Sequence, residues 1–441
     1  MISSAFIWGY LADTIGRKKL LVIGYLLDGF FVLLCGFSQH YTMLVVSKYM
    51  TGFIINGPFA ALMSYVNEFH SAKYRAFIPL LNGLIHSIAS IILPSLGWLI
   101  FSDKITISLF DGFIVLRSWN IFLLVCSLPS LIAGFAYMAL PESPKFLMTT
   151  GKNERALEIL KKVYSFNSGK PPDTYPIKIL LDETRLHEND QHAHGGHVTA
   201  NRTKLQALKE GWQQIIPLFY PPYVSKILIV FTIQFGIMMG LNTLRLWLPQ
   251  LFTAINDYQT FHKDDKDGNI CKMLEMVNPV KTANQTCSVN YNNDPVYTNN
   301  IIVALVTMSV YLTAAAIIRK VGKKIVLFLT AFISGICGLC LYFAMNEAVV
   351  IALSSVYTGS SGVTANVIVS IVVDIFPTTL RTMTVALTMM FGRTGAMIGN
   401  LIFPLLLTAG CLPPFLMVGC LAIGSTLFSI ALPKTDMKAL E

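Results

Sequence analysis

Charge is what this sequence has little of. Asp, Glu, Lys and Arg together make up 13% of 441 residues, about half of the ~25% usual in soluble domains. So few charges cannot cover an ordinary water-facing surface, and 54% hydrophobic side chains with a mean hydropathy of +0.59 point the same way. Other absences narrow the class further. No run of alternating ten-residue strands occurs, which sets aside an outer-membrane barrel. Eight cysteines in so long a chain exclude a small disulfide scaffold. The sequence has no nucleotide-binding loop, zinc signature or nucleophile elbow, so neither an enzyme nor a cofactor or metal is expected.

What the chain does contain is apolar runs long enough to cross a bilayer. They lie at 20–37, 41–65, 76–101, 119–140, 225–251, 298–318, 325–345, 348–372, 382–409 and 413–432. A stub at 1–12 is about half a membrane thickness at ~1.5 Å per residue, and lacks the basic start and small-residue cleavage site of a signal peptide. The expected fold is an all-α membrane protein with about 11 transmembrane segments, counting the partial one.

Basic loops stay on the cytoplasmic side. One set of short loops and the tail hold Arg17, Lys18, Lys19, Lys73, Arg75, Arg319, Lys320, Lys323, Lys324, Arg381, Lys434 and Lys438. The opposite loops carry only Lys104, Arg117, Lys263, Lys266, Lys272 and Lys281. The net charge of +9 therefore reflects topology, and no nucleic-acid partner follows from it. The expected layout is a helical half at 1–141, a cytoplasmic central loop at 142–224, a second helical half at 225–432 with an external loop at 252–297, and a cytoplasmic tail at 433–441.

The two halves repeat. Gly16 recurs as Gly322, Glu68 as Asp374 and Arg75 as Arg381, each 306 residues on and in the same loop context. On this register the stub matches 298–318, and the span at 225–251 has no counterpart. The expectation is a chain that lacks the first helix and part of the second.

Gly9-Tyr10-Leu11-Ala12-Asp13-Thr14-Ile15-Gly16-Arg17-Lys18-Lys19 follows the pattern G-x-L-x-D-x-x-G-R-[RK]-[RK], the loop signature of the major facilitator superfamily. Pro141-Glu142-Ser143-Pro144-Lys145-Phe146-Leu147 resembles the segment after the first half in sugar and organic-ion carriers. Ser64-Tyr65-x-x-Glu68-Phe69, Arg117-Ser118-Trp119 with Val125-Cys126-x-x-Pro129-Ser130, and Gly151-Lys152 before Ala156 are similar to the synaptic vesicle glycoprotein 2 branch, related to the organic ion transporters. Two positions depart from the pattern: Asn120 follows Trp119 where the family has arginine, and Arg319 stands where the first loop has Asp13. The resemblance implies a secondary carrier of a small organic solute, an organic anion on the residues below, working by alternating access with a possible coupling ion. The alternative is a non-transporting vesicle or surface membrane protein that uses the carrier fold for partner binding or trafficking, with loop 252–297 as the presented surface. Either is a multi-pass protein of the plasma or vesicle membrane.

The branch carries a large luminal loop at the place of 252–297. Here that loop contains the acceptor Asn284-Gln285-Thr286, and the sequon at Asn201 is cytoplasmic and silent. Cys271 and Cys287 read as the two cysteines of an oxidising compartment, so a disulfide between them is expected. The others, Cys337-x-x-Cys340 included, sit in apolar helices as packing residues. His187, His192, His194 and His197 near Gly195-Gly196 read as a polar linker.

Polar side chains in mid-span usually face a cavity or another helix. Arg393 leads the candidates for substrate contact: it serves either an anion or an ion pair with an acid of another span. Asn366, Asn242, Gln234, Asn82, His86 and Asn56 are further candidates for the cavity wall, and His86 could relay protons. Asp28 and Lys48 come to similar depths on consecutive spans and are expected to pair, whereas Arg245 reads as close enough to the external end to snorkel. The loop charges Asp13, Arg17, Glu68, Arg75, Asp374 and Arg381 are assigned to gating, fastening the cytoplasmic side when it is closed.

Overall fold

The computed structural model describes residues 8, 11, 15–70, 78–102, 105–109, 111–112, 114–180, 216–221, 223–261, 271, 294–376 and 378–433. These are almost wholly helical. In chain order they form α1 (Arg17–Gly36), α2 (Tyr41–Ile54), α3 (Asn56–Phe69), α4 (Ile78–Phe101), a short hairpin of β1 (Thr106–Leu109) and β2 (Ile114–Arg117), α5 (Ser118–Ala139), α6 (Pro144–Thr149), α7 (Asn153–Ser168), α8 (Val224–Phe261), α9 (Asp294–Val321), α10 (Lys323–Cys340), α11 (Glu347–Ile375), α12 (Thr378–Ala409) and α13 (Leu412–Ile430). Nine of the described helices are long and apolar enough to cross a membrane.

The expected span at 41–65 is divided into α2 and α3, each 14 residues. Pro58 has no N–H, so the carbonyl of Ile54 loses its helical donor. The bonds on either side, Ile55 N to Thr51 O (3.0 Å) and Phe59 N to Ile55 O (3.2 Å), remain. The counterpart in the second half has Thr364 at the matching place, 306 residues on, and α11 runs unbroken for 29 residues.

By packing, the chain divides into two compact units. The first takes Met1–Arg75, Ser108–Leu116 and Asn120–Ile216, the second Ala76–Ile107, Arg117–Trp119 and Pro217–Glu441. These units and the expected halves differ at one helix. The span at 76–101 precedes the central loop in sequence, yet α4 packs against α9 and α11 of the second unit. Chain order does not report such an exchange of neighbours.

Within the first unit, α1 and α5 approach closely. A side chain at Gly29 would come 2.6 Å from the Leu131 side chain and 3.1 Å from its backbone nitrogen. Within the second, Gly335 meets Ile423 of α13 at 2.5 Å and 3.1 Å in the same way, and it stands 306 residues after Gly29. Small residues at such crossings let helix backbones gain van der Waals contact, the main attraction where solvent is as apolar as the protein. A second seam of the second unit joins α8 and α12, where Gly392, Gly395 and Gly399 face Gln234, Phe235 and Thr243.

The repeat extends to backbone detail. Gly16 and Gly322 precede α1 and α10 with φ, ψ of 104°, 154° and 91°, 157°, a region open essentially to glycine. His40 and Asn346 precede α2 and α11 at −123°, 146° and −125°, 150°. His70 and Phe376 close α3 and α11 at −106°, 142° and −100°, 141°. All three pairs are 306 residues apart.

One disulfide is present among the described residues, and it joins Cys271 to Cys411, with Cα atoms 5.4 Å apart. The expected partner, Cys287, lies outside the described residues. Cys411, expected inside an apolar helix, is instead the residue before α13, in the short link after α12. Four helices run between the end of α8 and that link, so alternation returns the chain to the same face. Asn284 also lies outside the described residues.

Candidate functional site

The gating assignments resolve into two equivalent pairs. In the first unit Arg17, at the start of α1, meets Glu68 near the end of α3 at 3.0 Å, with side chains 15% and 8% exposed. In the second, Lys323 at the start of α10 meets Asp374 at 2.6 Å. Both members are offset by 306 residues, so each unit closes the same helix start onto the same helix end. Glu68 also accepts hydrogen bonds from Ser64 and Ser143. Glu142 accepts from the backbone N–H of Lys18 at 2.9 Å, the Arg17 guanidinium lies 5.5 Å from the Phe146 ring, and the Tyr65 hydroxyl donates to the Pro141 carbonyl at 2.8 Å. The Pro141–Phe146 motif is thereby seated under the turn at Gly16, where a side chain would come 2.6 Å from the Glu142 carboxylate. Sequence reasoning missed Lys323, Glu142 and Ser143. The 306-residue offset applied to Arg17 would have found Lys323. Asp13 and Arg75 lie outside the described residues, as does the side chain of Arg381.

In mid-span the central group belongs to the second unit. Arg245 of α8 is hydrogen-bonded to His86 Nε2 at 2.6 Å through Nη1, and donates from Nη2 to Ser90 Oγ at 3.1 Å. His86 and Ser90 are one turn apart on α4, so one fork of guanidinium spans both. On the α9 side, Tyr311 is within electrostatic reach of Arg245. Its ring lies over Gly83 of α4 and its hydroxyl over Gly362 of α11, where any larger side chain would collide with it. Asn366 of α11 donates to the Tyr311 hydroxyl at 2.9 Å and to the Gly362 carbonyl at 3.0 Å. Four helices thus converge on one cluster: Arg245, His86, Ser90, Tyr311 and Asn366. Two of its members, His86 and Asn366, were expected from sequence.

Arg245 was not, and its position corrects the snorkelling expectation. That reading measured depth from an apolar run ending at 251, whereas α8 continues to Phe261, about 15 Å further at ~1.5 Å per residue. The guanidinium is held by residues in the body of α4. Ser90 and Tyr311 carried no signal of their own, since a hydroxyl inside an apolar run is more often bonded to its own helix.

The other candidates are dispersed. Asn242 donates to the Met238 carbonyl one turn back at 3.0 Å, a bond internal to α8. Gln234 is fully buried in the α8–α12 seam beside Gly392, with Nε2 3.9 Å from Met389 Sδ. Arg393 is half-buried on α12 between two glycines of that seam. Asn82 lies one turn before His86 on α4, and the Asn56 side chain is outside the described residues. The expected Asp28–Lys48 pair makes no direct ion-pair contact: Asp28 is 4% exposed and accepts from Ser130 at 2.7 Å, and Lys48, exposed on α2, is within electrostatic reach of it. A cavity of about 20 Å³ beside Trp247, Leu251, Phe403 and Phe415 is apolar and holds roughly one water; no solute site lies there.

Compared with known families, residues 1–254 match the model of the sugar (and other) transporter family. The chain belongs to that family. Its likeness to synaptic vesicle glycoprotein 2C of Mus musculus is 22% identity over 537 aligned residues, covering all of this chain and 72% of the relative. In fold, this transporter-family chain matches the proton:xylose symporter XylE of E. coli with a TM-score of 0.64 at 16% identity, covering 98% of this chain and 84% of the other. The human organic anion transporter MFSD10 (TETRAN) matches at 0.60 and 12%, covering 97% and 80%. The fold is that of the major facilitator superfamily, and the chain lies in its synaptic vesicle glycoprotein 2-like branch. It is a multi-pass membrane protein.

Proposed function

We propose that this protein is a secondary carrier that moves a small organic anion across its membrane by alternating access. One observation carries the choice of anion: Arg245 stands in the body of the membrane helices bonded only to the neutral acceptors His86 and Ser90, and among the described residues no carboxylate pairs with it. A charge at that depth costs at least ~2.5 kcal/mol and is seldom kept without a partner or water. On this reading the uncovered edge of His86 lines the solute path, and an anion's two oxygens arriving there would meet the planar donors of the guanidinium. Arg393, in the same unit, is a further positive group for the same class of solute.

On this reading Arg17–Glu68 and Lys323–Asp374 fasten the helix ends in one of the two alternating states, and the loops that carry the excess of Lys and Arg, with the central loop and tail, are cytoplasmic. The helical halves are 1–141 and 225–432 in chain order. A second reading, a vesicle or surface protein using the carrier fold for partner binding, draws support from the likeness to synaptic vesicle glycoprotein 2C over the whole chain.

Proteoliposomes separate the two. Uptake of radiolabelled p-aminohippurate should exceed that of tetraethylammonium. Arg245→Ala should lower anion uptake about tenfold or more, and Arg245→Lys should keep a fraction of it, since a lysine offers charge without the fork. Preference for the cation, or anion uptake unchanged in Arg245→Ala, would overturn the anion assignment; no uptake of any solute by well-folded protein would favour the second reading.

A further inference from the structure

The bond between Arg245 and His86 constrains a proton. A guanidinium has five N–H donors and no acceptor, so at 2.6 Å the imidazole Nε2 must present its lone pair. The ring bonded in this way is neutral, with its hydrogen on Nδ1. A proton arriving at Nε2 abolishes the bond and leaves imidazolium facing guanidinium.

Among the described residues, no acid stands ready to hold that second positive charge. Among the described residues His86 is the one ionisable side chain of α4. From α8 it faces Arg245. From α9 the nearby group is the Tyr311 hydroxyl, already taken by Asn366. The other ionisable groups of α9 are at its two ends, Asp294 and Tyr297 at the start and Arg319 and Lys320 at the finish. On α11 the acids Glu347 and Asp374 are likewise terminal, bonded to Asn299 and Lys323. A carboxylate entering from water changes the balance: it can accept from Arg245 in place of His86, and from Nε2–H once that nitrogen is protonated.

We propose that His86 couples anion binding to the uptake of one proton. This rests on the anion reading and adds the coupling ion to it. In the empty site Arg245 and His86 bond each other. When the anion binds, the guanidinium turns to its carboxylate, Nε2 takes a proton from water, and both side chains donate to the solute. Release on the far side returns the proton to water and restores the Arg245–His86 bond. Anion and proton cross together, and the empty carrier resets with a neutral imidazole.

Two measurements test this on the whole chain. In bilayer nanodiscs, ¹⁵N-histidine NMR with His86 assigned by difference from His86→Gln should show a neutral ring with Nδ1 protonated at pH 7. Arg245→Met should let the same ring take a proton within pH 5–8. A charged His86 in the parent at pH 7 would overturn the proposal. In proteoliposomes, an inward gradient of one pH unit should drive p-aminohippurate to an accumulation approaching about tenfold, the limit for one proton per anion. In His86→Gln, whose amide can accept from Arg245 but never gains the charge, the uptake ratio with and without the gradient should fall to about one. Anion uptake indifferent to the gradient in the parent, or a response kept in His86→Gln, sinks the coupling and leaves the anion reading standing. Preference for tetraethylammonium over p-aminohippurate sinks both.

Discussion

At the scale of single residues, the same crossing is solved twice with different chemistry. Between α1 and α3, Gly24 leaves the space that the Pro58 ring fills, and a side chain at Gly24 would run into that ring. The equivalents 306 residues on are Thr330 and Thr364, whose hydroxyls bond each other at 2.8 Å between α10 and α11. Gly24→Ala should therefore destabilise by about 1–3 kcal/mol through overpacking, whereas Thr330→Ala loses one interhelical bond worth roughly 0.6 kcal/mol. Melting in detergent checks the order, and a milder Gly24→Ala would contradict the packing account. Residues are also where the sequence was least legible. Asn366 and His86 stood out because a polar group in an apolar run needs a partner, but which partner depends on helices brought together from 86, 245, 311 and 366. Arg245 was misplaced because hydropathy marks the apolar run of a helix and is blind to its polar extension.

At the scale of elements, most of the architecture was legible, because an apolar run of about 20 residues has few other uses. Apart from α6 and α7 of the central segment, the described helices fall on the expected runs from α1 onward, with the 41–65 run interrupted at Ile55, three residues before Pro58. What could not be read was the assignment of α4 to the second unit, since apolar faces are interchangeable to the eye and the match of glycines to bulky partners is made only in space. The α8–α12 seam shows how tight such a match is: a side chain at Gly395 would collide with the backbone carbonyl of Phe235, which cannot swing aside. Gly395→Val should force the helices apart and lower the yield of monodisperse protein several-fold. Gly424 of α13 has nothing within 4 Å of the place its side chain would occupy, so Gly424→Ala should behave as the parent. Equal behaviour of the two variants in size-exclusion chromatography would show that the seam is not close-packed.

At the scale of the whole molecule, two halves of unequal sequence keep one electrostatic clasp, Arg17–Glu68 and Lys323–Asp374. Glu68→Arg places two cations in a largely buried spot and should cost about 3–5 kcal/mol. The double exchange Arg17→Glu with Glu68→Arg should recover part of that loss in melting temperature; no recovery would mean that Glu68 acts through Ser64 and Ser143 instead. The link from Cys271 to Cys411 acts at this scale too. It spans 140 residues and encloses α9 to α12, so this portion of the chain is a covalent ring as well as a bundle. A protease that nicks the ring anywhere, in a connecting loop for example, opens it without releasing a fragment. On a denaturing gel the nicked chain should keep its full mass until a reductant is added, and only then separate into two pieces. A carrier built in this way could be cut once in an oxidising compartment and still travel through the cell as one molecule.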